Sequence, residues 1–205
     1  MKFIELKKEL RSFLIFSISD IRKIEAGFDL RRLSEWQDKG YIKMIRRGYY
    51  IFSDLELNES VLFLIANKIY SPSYISLEMA FSYYNLIPEA VYGITSVTSL
   101  KTNNFKTDLG EFMYSHIKSE LMFGYNLVKY GIYNFKIAEI EKALLDYFYL
   151  NPQIKTKDDF ASMRFNNEAF KDNSDKKKLL SYLKIFNNKS LTKRLENFLK
   201  HIDYV

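Results

Sequence analysis

Apolar positions near the start of the chain recur at helical spacing: Phe3, Ile4, Leu6, Leu10 and Phe13 predict a first helix over residues 3–13. Ser17 then opens S-I-S-D, a capping-box variant with Asp20 in fourth place, and predicts a short helix over about 18–25 that Gly27 stops. Asp29 is placed to cap a third helix, LRRLSEWQDKG, which Gly40 ends. Its inner face is Leu30, Leu33 and Trp36 or Gln37, and its outer face is Arg31, Arg32, Glu35, Asp38 and Lys39. The pattern then shifts to alternation. Residues 41–45 and 49–52 predict two strands joined by an Arg46-Arg47-Gly48 turn, where glycine takes a positive φ cheaply. Three helices followed by a two-stranded wing is the order of a winged helix-turn-helix.

A polar stretch, SDLELNES (53–60), separates this unit from the rest and predicts two domains, 1–53 and 54–205. Asn58 is placed to cap the helix ESVLFLIANKIY, and Ser76 to cap LEMAFSYYN. Between 91 and 137 the blocks YGITSVTSL, NNFKT, GEFMYSHI and a pair around Tyr130-Gly131 predict a mostly antiparallel sheet. A helix is expected over 139–150, Thr156 opens a second capping-box variant, and two lysine-rich helices over about 175–186 and 190–201 finish the chain. The fold class is therefore α+β, with flanking helices around the second sheet.

Charge sharpens this division. The chain carries +6, and residues 1–53 hold twelve Lys/Arg against seven Asp/Glu, a net of +5. The remaining residues hold nineteen against eighteen, a net of +1. Such asymmetry favours a polyanion as partner of the first segment. Arginine is scarce, eight residues against twenty-three lysines, yet four of the eight are Arg31, Arg32, Arg46 and Arg47. Clustered arginine in a lysine-rich sequence points to a need for planar, multi-donor geometry. The expected DNA-contacting residues are Arg31, Arg32, Glu35 and Lys39 on the third helix, with Lys43, Arg46, Arg47 and Tyr49 on the wing.

Candidate catalytic chemistry is sparse. The chain has no cysteine and two histidines, which excludes disulfides, thiolate metal sites and multi-histidine centres. There is no phosphate-cradling glycine loop and no G-x-S-x-G elbow. His116 is expected to make a structural hydrogen bond, and Lys142 with Asp146 an i,i+4 ion pair. A metal-dependent nuclease needs converging carboxylates and a lysine, for which Asp108, Glu111 and Lys118 are the available set. The lysine runs at 176–178 and 189–194 read as solvated faces, with nucleic-acid contact as the alternative. No cofactor, metal or membrane partner is expected. With neither an eighteen-residue apolar run nor a signal-peptide pattern, the expected location is the cytoplasm.

Four blocks resemble a known family: KGYIKMIRRGYYIF, ANKIYSPSYISLEMAFSYYNLIPE, TSVTSLKTNNFKTDLGEFMYSHIKSELMFGY and AEIEKALLDYFYL. In order, they are similar to segments of AbiEi-type proteins, the antitoxin and transcriptional-regulator components of bacterial abortive-infection toxin–antitoxin systems (type IV). The similarity covers about residues 15–150. It implies a winged helix-turn-helix joined to a C-terminal antitoxin domain. It further implies repression of the protein's own operon through operator DNA. The implied functional partner is a co-encoded nucleotidyltransferase toxin, opposed without a stable complex. A phage-defence nuclease that uses the first module for targeting is the alternative left open.

Overall fold

The computed structural model describes residues 1–88 and 91–204; Glu89 of the quoted middle block and Val205 at the end of the second expected domain lie outside the described residues. The first 53 residues form α1 (Phe3–Glu9), β1 (Phe16–Ser17), α2 (Ile18–Ile24), α3 (Arg31–Asp38), β2 (Ile42–Arg46) and β3 (Tyr49–Phe52). Their strands make a three-stranded antiparallel sheet in the order β1-β3-β2. A small core of Leu6, Leu10, Phe16, Ile21, Phe28, Leu33, Trp36, Ile42, Tyr50 and Phe52 fills the space beneath the helices. Trp36 takes the inward position that its spacing predicts, edge-on to Phe3 with ring centroids 5.5 Å apart.

Local chemistry accounts for these boundaries. At α2 the capping box is complete: the Ser17 backbone N–H donates to Asp20 Oδ2 at 2.9 Å, and the Asp20 N–H donates to Ser17 Oγ at 3.2 Å. Burial pushes the Asp20 carboxyl up, but the Ser17 hydroxyl and amide, with Lys68 and Lys23 nearby, outweigh it and hold it below the usual range. A depressed carboxylate stabilises the fold above its ordinary pKa, and that contribution disappears as pH falls through the folded value. Asp20→Ala is therefore expected to cost about 1–2 kcal/mol at neutral pH. Urea titrations should show wild type and variant converging below about pH 4. The first helix is shorter than its apolar pattern, and Ile4 is 79% exposed rather than inward.

The larger unit is built on α4 (Glu59–Ile69), β4 (Ser73–Ile75), α5 (Leu77–Tyr83), β5 (Ile94–Thr98), β6 (Asn103–Thr107), β7 (Gly110–His116), β8 (Tyr125–Tyr130), β9 (Tyr133–Ala138) and α6 (Ile140–Leu150). Its six strands run in the order β6-β7-β5-β4-β9-β8. The sheet is mixed. The hairpin pairs β6–β7 and β8–β9 and the β4–β5 pair are antiparallel, whereas β5–β7 and β4–β9 are parallel. The expectation of a mostly antiparallel sheet misses this parallel centre, because each hairpin joins the central strands through its second member.

Cross-strand register assigns the two faces. Ile75 pairs with Ser96 and Ile137, Ser96 pairs with Tyr114, and the Tyr114 hydroxyl donates to the Ala66 carbonyl of α4. This face therefore meets α4, and its neighbour residue Tyr74 points the other way, to α6. Four more helices follow: α7 (Lys157–Ser162), α8 (Asn167–Asn173), α9 (Lys176–Phe186) and α10 (Lys189–His201). Asn58 and Thr156 cap α4 and α7 as expected. Ser76 is the N-cap residue of α5 as expected, but it makes no side-chain capping bond, because its hydroxyl donates to Asp146 instead. No helix among the described residues is long and apolar enough to cross a membrane.

Candidate nucleic-acid interface

The smaller sheet lies between two cores. On β3, Tyr50 and Phe52 join the small core, while Ile51 joins the large one with Tyr49 packed against it. On β2, Ile42 faces the small core and Ile45 the large one. A strand buried on both faces reads as a continuous apolar run, which explains YYIF. Between Met44 and Arg46 the β2–β3 register shifts by a bulge, leaving Met44 exposed and turning Ile45 inward.

That bulge separates the two turn arginines. Arg47 is exposed at the tip beside Gly48, whose φ is +86°. Arg46 is drawn towards the larger unit. Its guanidinium donates to the Ile69 carbonyl at the end of α4. It also stands over the rings of Phe105 (4.6 Å), Tyr49 (5.5 Å) and Tyr70 (5.7 Å). Arg46 and Tyr49, expected on the DNA-facing wing, form an aromatic clamp between the two units instead. The physical reason is the apolar second face of the sheet, which must be covered, and which carries both residues with it.

The other expected contacts sit elsewhere on the surface. Arg31 opens α3 with its side chain 88% exposed. Its Nε donates to Asp29 Oδ1 at 3.1 Å, and the hydrogen bond to Arg31 holds the Asp29 carboxyl below its usual range. Asp29 caps one residue early: Leu30 is the N-cap, and the Arg31 backbone N–H donates to Asp29 Oδ1 at 3.0 Å. Arg32 is half-buried and donates to the Met1 carbonyl, so its fork is already engaged. Glu35, Lys39 and Lys43 are exposed. Of the expected cationic contacts, Arg31, Lys39, Lys43 and Arg47 are thus exposed, Arg31 in an ion pair with Asp29, and Glu35 lies among them.

A second polar cluster lies at the heart of the larger unit. Lys142 and Asp146 are both fully buried and ion-paired. Asp146 Oδ2 also accepts from the Tyr74 and Ser76 hydroxyls at 2.9 Å each, and Lys142 Nζ donates to the Tyr74 hydroxyl at 2.8 Å. The rings of Phe186, Phe123 and Tyr74 close over the ammonium at 5.0–5.4 Å. Burial pushes Lys142 down and Asp146 up, and each opposes the shift of the other by pairing. Closed off from solvent, the cluster binds α6 to β4 rather than facing a substrate. The i,i+4 spacing discloses the ion pair; nothing local points to Tyr74 and Ser76, some seventy residues away.

The remaining candidates disperse. Glu111 pairs with Lys106 at 3.1 Å and Lys118 with Glu120 at 3.7 Å, at opposite ends of β7, while Asp108 stands in the preceding turn. Among the described residues no group of three or more His, Cys, Asp or Glu side chains is placed to hold a metal ion. His116 Nδ1 hydrogen-bonds the Leu100 carbonyl at 2.8 Å, the structural role expected of it. Arg194, at the end of an expected solvated run, is buried instead and donates to the Phe148 and Asn151 carbonyls at 2.7 and 3.2 Å. It ties α10 to the end of α6. No protein-family model matches the chain, and no curated protein matches it.

Proposed function

We propose that the chain is a cytoplasmic DNA-binding autorepressor and antitoxin of the AbiEi type. In this reading residues 1–53 are a winged helix-turn-helix that binds operator DNA upstream of its own operon. Residues 54–205 oppose a co-encoded nucleotidyltransferase toxin without catalysis of their own. The observation that carries the reading is the element order α1-β1-α2-α3-β2-β3 with a β1-β3-β2 sheet. These elements lie in the segment that holds most of the chain's excess positive charge. The similarity of the four sequence blocks supplies the toxin.

In this reading α3 is the recognition helix, and Arg31 at its N-terminal end reaches a base edge in the major groove. An arginine fork bonded to a guanine discriminates by about 1–3 kcal/mol. Arg31→Ala is expected to lose that much on the operator and little on unrelated DNA. Gel shifts on both sequences check it: equal loss on both makes Arg31 a phosphate contact, and no loss on either removes α3 from the interface. Growth under toxin induction, with and without this chain, tests the second half of the proposal. Failure to restore growth would sink it.

A further inference from the structure

Two cavities of the larger unit share a wall. The first, of about 270 Å³, is lined by Phe81 of α5, Tyr147 of α6 and Met163 at the end of α7, with Ile87 and Val91 beside them. The second, of about 430 Å³, lies over β5 and β7 and is more polar, with Thr102, Ser115 and Asn151 on its walls. Glu78 lines both. It precedes Phe81 by three residues on α5, so helical spacing turns the two side chains to the same cavity. Opposite them, the Tyr147 ring packs against Phe81 with centroids 5.0 Å apart.

Glu78 is half-buried, and among the described residues it has no hydrogen bond and no ion pair. It is also the one charged side chain on either lining among those residues. A place in the first turn of α5 suits an acid, but no amide, hydroxyl or cation of the described residues donates to it. The Tyr147 hydroxyl is pushed up to about 12 by its burial and then by the Glu78 charge, which places that charge beside the ring. An unpaired carboxylate drawn partly out of water, among apolar and aromatic walls, describes one kind of guest.

We propose that the first cavity binds a small organic cation, an amine with a single apolar body. Its ammonium donates to Glu78, and its body lies on Phe81, Ile87 and Met163. Aromatic rings beside the carboxylate favour a cation for a second reason, the attraction of the charge to the ring face. The volume is at the small end of ligand pockets, which start at about 300 Å³, and suits one aromatic ring or a short alkyl chain. All the lining residues belong to the larger unit, so the binding does not rest on the DNA-binding role proposed for residues 1–53.

Isothermal calorimetry on the full chain with phenethylamine, which is protonated at neutral pH, and with phenethyl alcohol as its uncharged counterpart, tests the site. The expected result is saturable one-site binding of the amine, about tenfold or more tighter than the alcohol. Glu78→Gln keeps the size of the side chain and removes its charge, and should weaken the amine about tenfold while sparing the alcohol. Met163→Trp fills the cavity and should abolish binding of both; circular dichroism confirms that each variant is folded. Should Glu78→Gln fail to fold, Glu78→Ala carries the same test, and should Met163→Trp fail, wild type and the Glu78 variant decide the outcome. Absence of saturable amine binding overturns the proposal. An amine affinity that the folded Glu78 variant leaves unchanged overturns it too. So does equal affinity for amine and alcohol, which would leave an apolar cavity beside a solvated acid.

Discussion

Replacing Lys142 by methionine is expected to remove about 3–5 kcal/mol of stability, the cost of leaving a buried charge without its partner. Asp146 keeps the Tyr74 and Ser76 hydroxyls as donors, but two neutral hydrogen bonds do not replace an ammonium in a site with no solvent. The loss depends on pH in a definite direction. With the lysine gone, only the Tyr74 and Ser76 hydroxyls oppose the upward push of burial on the Asp146 carboxyl. A carboxyl raised in the folded state contributes fully below its ordinary pKa, and that contribution falls away as pH rises towards the folded value. The variant should therefore lag furthest at neutral pH and approach wild type near pH 4. The double change Lys142→Met, Asp146→Leu should recover part of the loss. It removes the stranded charge but leaves the Tyr74 and Ser76 hydroxyls without an acceptor, at about 1–3 kcal/mol each. Urea unfolding followed by circular dichroism measures all three. A single-variant loss under about 1 kcal/mol would show that water reaches the cluster and that the helix α6 is not held by it.

What the sequence disclosed follows the range of the interactions involved. Ser17, Asn58 and Thr156 act on amides within three residues, so their helix starts were legible. The β6–β7 and β8–β9 hairpins were legible for the same reason, through a short turn that Gly110 follows and another that contains Gly131. Strands β1 and β4 were not, because two or three residues carry no alternation, and β4 is buried on both faces. Ser76 looks like a cap and becomes a ligand of Asp146, a partner that only the closed sheet brings near. Ile4 continues an apolar pattern on a helix that ends at Glu9. At the candidate interface, the exposure of Arg31, Lys39, Lys43 and Arg47 was readable from the outer face of α3, the alternation of β2 and the tip of the turn. The inward fate of Arg46 and Tyr49 was not. It depends on a bulge that shifts register by one residue, and on a second apolar surface that comes from distant parts of the chain.

The paired arginines at the turn are expected to separate cleanly when each is replaced by alanine. Arg46→Ala should cost about 2–4 kcal/mol of stability. The charge-assisted bond to the Ile69 carbonyl accounts for about 1.5–3 kcal/mol, and the cation–π contacts for up to about 2 where water is excluded. The two overlap, so their sum is an upper bound. Arg46→Lys should recover only part, since an ammonium lacks the planar fork that stacks on Phe105 while bonding Ile69. Arg47→Ala should leave stability within about 0.5 kcal/mol, as exposed substitutions do. On the proposed function its effect is on DNA binding: with one phosphate fewer neutralised, the slope of log affinity against log salt should flatten by about 0.9. Thermal unfolding and salt-dependent gel shifts on the same two proteins make the comparison. An Arg47→Ala slope equal to wild type would leave that tip merely solvated. A stable Arg46→Ala with a flattened slope would mean that Arg46 leaves its aromatic clamp to meet DNA. The second face of the small sheet would then be held by Ile15, Ile45 and Ile51, with Tyr49 packed beside them.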